Sequence, residues 1–255
     1  MDDRSLLKRK LSLVIPAYNE EAGIRQALGE ADLALAELGY QYEILVVDDG
    51  SADDTARVVE DFAARFPRVR LLRHRHNRGY GAALRTGFEA ARFDRVAFTD
   101  ADCQFDLADL GRLVPFTDRF HIVVGYRVRR QDTLKRRFLS WGYNRLVKVL
   151  LGTGVRDCDC ALKVFRKDAL ARILPETTGF FVNTEMLARA RQLKMNVAEM
   201  AVRHRPRLRG QSKVSLADVP RTLRVLLPFW WTQRATKVEP VTSRPTEVRQ
   251  HTKVG

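Results

Sequence analysis

The chain has 255 residues, enough to bury a full hydrophobic core, and carries 45 Lys plus Arg against 31 Asp plus Glu, a net charge of +14. Its 45% hydrophobic and 30% charged residues are typical of a globular domain, which excludes a fibrous repeat and a largely disordered chain. The best apolar stretch, 223–231, is too short to cross a membrane and the N-terminus lacks an apolar signal segment, so we expect a cytoplasmic protein.

Short apolar runs alternate with helical patterns through the first hundred residues. The predicted elements, in chain order, are strand 11–17, helix 20–38, strand 42–48, helix 53–66, strand 69–73, helix 81–92 and strand 95–99. Strands such as LSLVIPAY are apolar throughout instead of alternating, which is typical of parallel strands covered on both faces. We therefore predict an α/β fold with an open, mostly parallel sheet whose strands all end at one edge, where ligands bind.

The pattern is less regular after residue 106. It predicts helix 107–117, strand 121–125, helix 134–151, strand 161–165, helix 182–193, strand 195–202 and a final amphipathic helix 216–231. One domain is thus expected over residues 11–231, after an N-terminal extension of residues 1–10. Residues 232–255, rich in Thr, Pro, Val and charge, are expected to form a disordered tail.

The excess positive charge lies in two segments, 119–148 and 203–224, each containing a single acidic residue. Such segments suit nucleic acid, a phosphorylated small substrate or an anionic membrane surface, and they also fit a plain solvated basic face. No zinc-finger spacing or aromatic RNA-binding motif accompanies them. A basic nucleic-acid-binding module is kept only as an alternative, because it would leave the acidic turns described next unexplained.

Acidic and polar residues follow three of the predicted strands. They are Pro16, Tyr18, Asn19 and Glu20 after the first strand, Asp48, Asp49, Gly50 and Ser51 after the second, and Asp100, Asp102 and Gln104 after the fourth. Helix capping by Asn19, Ser51 or Asp53 explains some of these residues. Capping does not explain the doubled carboxylates, so we expect the three turns to converge on a functional crevice.

Seven motifs in order carry a family resemblance: VIPAYNEE, VVDDGSADDT, NRGYGAALRTGF, DADCQFD, VVGYR, DCDCALKVFR and RLRGQSK. Together, over residues 11–231, they resemble the inverting glycosyltransferases of family 2, most closely the dolichyl- and polyprenyl-phosphate sugar transferases. The resemblance implies a Rossmann-like GT-A fold, a nucleotide-diphosphate sugar donor, a Mg²⁺ or Mn²⁺ cofactor and a polyprenyl-phosphate acceptor. The alternative within the family is an acceptor hydroxyl on a glycan, a lipid or a small molecule.

A nucleotide sugar needs a base pocket, a ribose contact and neutralisation of its diphosphate. A carboxylate at Asp48 or Asp49 can accept from a base N–H, Pro16 and Tyr18 can form an apolar wall, and Glu20 can accept from a ribose or sugar hydroxyl. The resemblance adds to this donor set Val47, Asp100, Ala101, Arg127 and Arg136.

The DADCQFD run predicts a cation site. Asp100 and Asp102 stand two apart on an extended turn and can point toward one ion, with the amide oxygen of Gln104 as a third ligand. Hard oxygen ligands favour Mg²⁺ or Mn²⁺ over zinc, and such an ion stabilises the charge that develops on the leaving diphosphate.

A phosphate acceptor is already ionised at neutral pH, so it needs positive charge more than a base. The resemblance places around the phosphates Arg127, Arg136, Arg207, Arg209, Ser212 and Lys213. It places Asp157, of DCDCALKVFR, near the acceptor, as a base or as an organiser of Lys163 or a nearby Arg, with Asp159 as a further candidate. The predicted catalytic set is Asp102, Asp157, Arg127, Arg209 and Lys213.

Two further segments leave alternatives open. Glu185 matches an acid on a family helix that faces the site, and a plain surface carboxylate is the other interpretation. The apolar residues of 223–231 beside Arg221 and Arg224 fit a peripheral contact with the cytoplasmic face of a membrane, or docking of that helix on its own core.

Overall fold

A computed structural model of the chain describes residues 9–128, 134–206 and 218–235. Four predicted phosphate-binding residues, Arg207, Arg209, Ser212 and Lys213, lie outside the described residues. Arg136 lies on a described helix, but its side chain is not among those described. Most of the predicted N-terminal extension and tail also falls outside these ranges, so all these assignments stay predictions.

Seven strands in the described part of the chain form one sheet. They are β1 (Lys10–Ala17), β2 (Gln41–Asp48), β3 (Val69–Arg73), β4 (Arg95–Phe98), β5 (Ile122–Arg127), β6 (Lys163–Arg166) and β7 (Val197–Val202). Their spatial order is β3-β2-β1-β4-β6-β5-β7. Every neighbouring pair is parallel except the two that involve β6, so the predicted mostly parallel sheet is confirmed.

The direction of β6 corrects one expectation, that all strands would end at the same edge. Lys163, the first residue of β6, pairs with Phe98 at the end of β4 and with Val124 in β5. The chain therefore re-enters the sheet at the edge where the parallel strands end, and β6 runs back across it. This reversal places the segment before β6 at the carboxyl edge.

Eight helices connect or flank the strands in the described residues. They are α1 (Glu21–Glu37), α2 (Thr55–Ala63), α3 (Tyr80–Ala90), α4 (Leu110–Phe116), α5 (Leu134–Leu151), α6 (Lys167–Leu170), α7 (Val182–Gln192) and α8 (Asp218–Ala235). Predicted helix 107–117 is divided into a 3-10 turn, Leu107–Asp109, and α4. The Asp106 carboxylate caps the turn by accepting from Ala108 N at 3.2 Å. The four-residue α6 was not predicted, since one turn carries no periodicity.

Strands β1 and β2 are buried along almost their whole length. In each, every residue after the first is buried. Because successive side chains of a strand point to opposite faces, both faces of this part of the sheet are covered. The two strands are therefore largely apolar because both of their faces are covered, as the sequence predicted.

Candidate active site

Four separate segments bring the predicted site residues to the carboxyl edge of the sheet. The turns after β1, β2 and β4 meet there because these strands are parallel and adjacent. The segment that leads into β6 arrives at the same edge because β6 is reversed. Tyr18, Asp48, Asp100 and Asp157 thus lie on different segments of one edge.

The turns after β1 and β2 hold each other in place. Asn19 N donates to Ser51 Oγ and Ala52 N donates to Asn19 Oδ1, both at 2.9 Å. Glu20 N donates to Thr55 Oγ1, also at 2.9 Å. The predicted capping groups therefore bond across the two turns, and the pair forms one rigid rim.

Asp49 is committed to holding a neighbouring segment. Its Oδ1 lies 2.6 Å from His74 Nδ1 and accepts from Arg78 N at 2.9 Å, while Oδ2 accepts from Gly79 N at 2.8 Å. The carboxylate is buried, at 3% exposure. These contacts explain Asp49 as a structural anchor, and a base-binding role for it stays a prediction without a geometric basis here.

Asp48 differs from Asp49 because one of its two carboxylate oxygens accepts no hydrogen bond from a described residue. Oδ1 accepts from Ser51 N at 3.0 Å. Oδ2 is buried and lies 3.2 Å from Arg73 Nε, yet no described group makes a hydrogen bond to it. A buried acceptor in this condition calls for a donor, and a base N–H would supply one.

The remaining donor-set residues are divided between the surface and the core. Tyr18 and Glu20 are partly exposed. Pro16, Val47 and Ala101 are buried, as is Asp48. Of the predicted apolar wall, Tyr18 is thus the accessible member.

The three predicted cation ligands lie on one turn, Asp100–Gln104. Asp100 Oδ1 accepts from Tyr80 Oη at 2.8 Å, and Asp102 Oδ1 accepts from Gln104 N at 3.2 Å. Gln104 is tied to a second segment, since its backbone carbonyl accepts from Arg205 N at 2.7 Å. Both Asp side chains are partly exposed at the edge of the sheet.

Arg127, at the end of β5, forms a buried ion pair with Asp157. Its Nε donates to Asp157 Oδ2 at 2.7 Å and its Nη2 to Oδ1 at 2.8 Å, with both side chains under 10% exposed. Burial lowers the pKa of Arg127, but the hydrogen bonds and charge of Asp157 outweigh burial and raise that pKa above its ordinary value. Among the roles left open for Asp157, this geometry matches the organiser of a nearby Arg.

Lys163 fixes the turn between Asp157 and β6. Its buried ammonium donates to the carbonyls of Cys158 and Cys160 and to Asn183 Oδ1. Burial lowers the pKa of Lys163, while nearby thiols and carboxylates oppose that shift. The lysine therefore holds the backbone of residues 158–160 in place. The residue type alone did not predict this structural role.

The structure identifies Tyr80, which the sequence analysis missed, and decides between the two interpretations of Glu185. Tyr80 stands between the two glycines of NRGYG, a signal that the sequence analysis did not use. Glu185 is fully buried and accepts from Glu176 N at 2.8 Å and Thr177 N at 2.9 Å, so the surface interpretation is wrong.

Helix α8 both docks and exposes apolar side chains. Leu226 is buried and the Phe229 ring packs on Phe181 with centroids 5.2 Å apart, whereas Leu227 and Trp231 are 53% and 70% exposed. Docking on the core is therefore confirmed for one side of the helix. Across the ranges that the structure covers, we find no helix with the length and apolar content needed to cross a bilayer.

Comparison with solved structures defines the class of fold. Glucosyl-3-phosphoglycerate synthase from Mycobacterium tuberculosis, in complex with Mn²⁺, UDP and glucosyl-3-phosphoglycerate, matches with a TM-score of 0.67 at 20% identity. The match covers 92% of this chain and 82% of that chain. With its single reversed strand and carboxyl-edge turns, the sheet is a GT-A fold, as the resemblance implied.

Sequence comparison then gives the family. A sequence model described as Glycosyl transferase family 2 matches residues 12–174, and the chain belongs to that family. The undecaprenyl-phosphate 4-deoxy-4-formamido-L-arabinose transferase of Klebsiella pneumoniae is 35% identical over 213 residues, covering 81% of this chain and 63% of the relative. The dolichyl-phosphate beta-glucosyltransferase of Dictyostelium discoideum is 32% identical over 213 residues, covering 75% and 65%. The chain spans less than two thirds of either relative.

Proposed function

We propose that the chain transfers a sugar, with inversion, from a nucleoside-diphosphate sugar to a polyprenyl phosphate. The observation that carries this proposal is the meeting of two acidic turns at one sheet edge. One holds the buried Asp48, whose Oδ2 is ion-paired with Arg73 but accepts no hydrogen bond from a described residue, and the other is the Asp100–Asp102 turn. The undecaprenyl- and dolichyl-phosphate sugar transferases among the relatives support the acceptor class.

On the donor side, three residues have distinct parts. Asp48 accepts a hydrogen bond from a base N–H, and the ring of Tyr18 packs against the base. Glu20, on the rim built by the first two turns, accepts from a ribose or sugar hydroxyl. The rim is already rigid before the donor arrives, so little ordering entropy opposes binding.

Asp100, Asp102 and Gln104 would hold a Mg²⁺ or Mn²⁺ ion. In the described residues no three His, Cys, Asp or Glu side chains converge as a metal site. Two carboxylates and one amide oxygen would fill only part of an octahedral shell and would leave room for diphosphate oxygens and water. That donor set fits a hard cation that binds with substrate phosphates. When bound, the ion offsets the charge on the leaving diphosphate. The Mn²⁺ and UDP of the M. tuberculosis neighbour support this assignment.

On the acceptor side, an ionised phosphate oxygen needs no base to attack the sugar. This fits the engagement of both Asp157 oxygens by Arg127, which holds the guanidinium in a fixed orientation at the end of β5. Arg127 and Lys213 would contact the phosphates, with further contacts from Arg136, Arg207, Arg209 and Ser212. An acceptor hydroxyl would instead require a carboxylate available to take its proton.

The polyprenyl chain places the reaction at a membrane surface. The exposed Leu227 and Trp231 of α8, with the exposed Arg224 nearby, fit a shallow contact with an anionic lipid surface. We include a peripheral position on the cytoplasmic face in the proposal.

The test is a donor and acceptor panel. Hydrolysis of UDP-sugars and GDP-sugars is measured with and without Mn²⁺, then transfer is measured after adding a polyprenyl phosphate or a sugar alcohol, with mass spectrometry of the product. We expect Mn²⁺-dependent transfer to the lipid phosphate only. Transfer to the alcohol alone would replace the proposed acceptor, and no nucleotide-sugar turnover with any donor would refute the proposal.

A further inference from the structure

Tyr80 connects the start of α3 to the Asp100–Asp102 turn. Its phenol donates to Asp100 Oδ1 at 2.8 Å. Because a phenol is ordinarily neutral at physiological pH, Asp100 has a neutral donor bound to one of its oxygens.

The backbone on both sides of Tyr80 is fixed by different parts of the fold. Gly79 N donates to Asp49 Oδ2 at 2.8 Å, and Gly81 N donates to the carbonyl of Thr178 at 2.7 Å. Gly79 has a φ of +98°, and a Cβ there would lie 2.5 Å from the same Thr178 carbonyl oxygen. Only glycine fits this position, and the tyrosine beside it has little freedom to move.

The loop that lies against these glycines, residues 176–178, is itself anchored. Glu185, fully buried on α7, accepts from the backbone N–H groups of Glu176 and Thr177 and pairs with Arg189 at 2.8 Å. Phe180, just beyond this loop, places its ring centroid 5.5 Å from that of Tyr80. The Tyr80 ring thus packs against Phe180 while its hydroxyl bonds to Asp100.

We propose that Tyr80 is a positioning residue that orients the Asp100 carboxylate toward the divalent cation. This inference rests on the proposed function, because it requires a cation at the Asp100–Asp102 turn. A hydrogen-bond donor behind a ligating carboxylate fixes which lone pairs face the metal, and its loss commonly weakens metal binding roughly 10- to 100-fold.

The experiment measures how strongly Mn²⁺ and nucleotide binding are coupled. The Kd of UDP, and of GDP in parallel, is determined by calorimetry with Mn²⁺ and with a chelator, for the wild type and for Tyr80→Phe. The ratio of the two Kd values is the coupling between cation and nucleotide. We expect Tyr80→Phe to reduce this ratio roughly tenfold, leaving the metal-free Kd unchanged.

Tyr42→Phe is the matched control. Tyr42 near the start of β2 donates to Asp32 Oδ1 at 2.6 Å, so the substitution removes the same kind of bond at the opposite edge of the sheet. Its coupling ratio should equal that of the wild type.

Three results would overturn the inference. An unchanged ratio in Tyr80→Phe would show that the hydroxyl does not act on the cation. Equal loss of affinity with and without Mn²⁺ would make Tyr80 a nucleotide contact. A wild type that binds nucleotide without any Mn²⁺ dependence would remove the cation from the proposed function itself, and the inference with it.

Discussion

Replacing Asp157 separates its two candidate roles, acceptor base and organiser of Arg127. The Asp157→Ala variant leaves a guanidinium that is 8% exposed without its bidentate partner. Removing one member of a buried pair costs about 3 to 5 kcal/mol. For a chain of this size each kcal/mol corresponds to about 2 to 4 °C, so we expect Tm to fall by about 6 to 20 °C.

The assay combines thermal unfolding with nucleotide-sugar turnover. A double variant, Arg127→Leu with Asp157→Leu, should recover most of the lost stability, because apolar residues often replace a buried ion pair without loss. Its turnover should stay low, since the guanidinium is missing. Asp168→Ala is a suitable control, because it breaks the pair with Arg166 that lies at the surface and should change Tm little.

An unchanged Tm in Asp157→Ala, together with lost transfer, would refute the organiser role. That result would require Asp157 to act directly on the acceptor, and it would favour a hydroxyl acceptor. A double variant as unstable as the single one would also contradict the reasoning, because unpaired buried charge could not then be the cause of the loss.

Asp102→Ala should abolish turnover with Tm unchanged, because a partly exposed side chain leaves no core cavity; turnover at the wild-type rate that still responds to chelator would contradict the cation site. Asp48→Asn should weaken UDP or GDP binding in calorimetry, since it puts an amide donor where an acceptor is needed. Asp49→Ala should instead lower the free energy of unfolding by about 3 kcal/mol, through loss of its buried hydrogen bonds; the opposite pattern for these two variants would exchange their roles. Arg209→Ala or Lys213→Ala should each reduce kcat/KM for a short soluble prenyl phosphate roughly tenfold to a hundredfold, the effect of about 1.5 to 3 kcal/mol per charged contact. Wild-type rates in detergent with poor vesicle binding would assign these residues to the membrane.

The helices and strands could be predicted because hydrophobic periodicity is a local property. Each predicted element is present, with ends within four residues of the prediction. The direction of β6 could not be predicted in this way, because it depends on where the chain returns after α5. Pairing of Lys163 with both Phe98 and Val124 decides it, and these contacts join residues far apart in the sequence.

The positions of the acidic turns could also be predicted. Which of their carboxylates make structural contacts within the protein could not. Asp48 and Asp49 are chemically identical neighbours. The His74–Gly79 segment donates to the Asp49 carboxylate but reaches only the backbone carbonyl of Asp48, and the fold brings that segment close. Glu185 has the same limit, since its burial follows from how α7 meets the loop before it. The sequence therefore locates the charged groups, while tertiary contacts decide which of them form hydrogen bonds within the protein.

The reversed strand makes the site modular. Residues 152–162 run between the end of α5 and the clamped Lys163, and their length does not enter the register of β1 through β4. Changes at its exposed positions, Gly154 and Arg156, can alter this side of the site without shifting the turns after β1, β2 and β4. A chain built in this way can vary in the segment that leads into β6 while the turns after β1, β2 and β4 keep their relative positions.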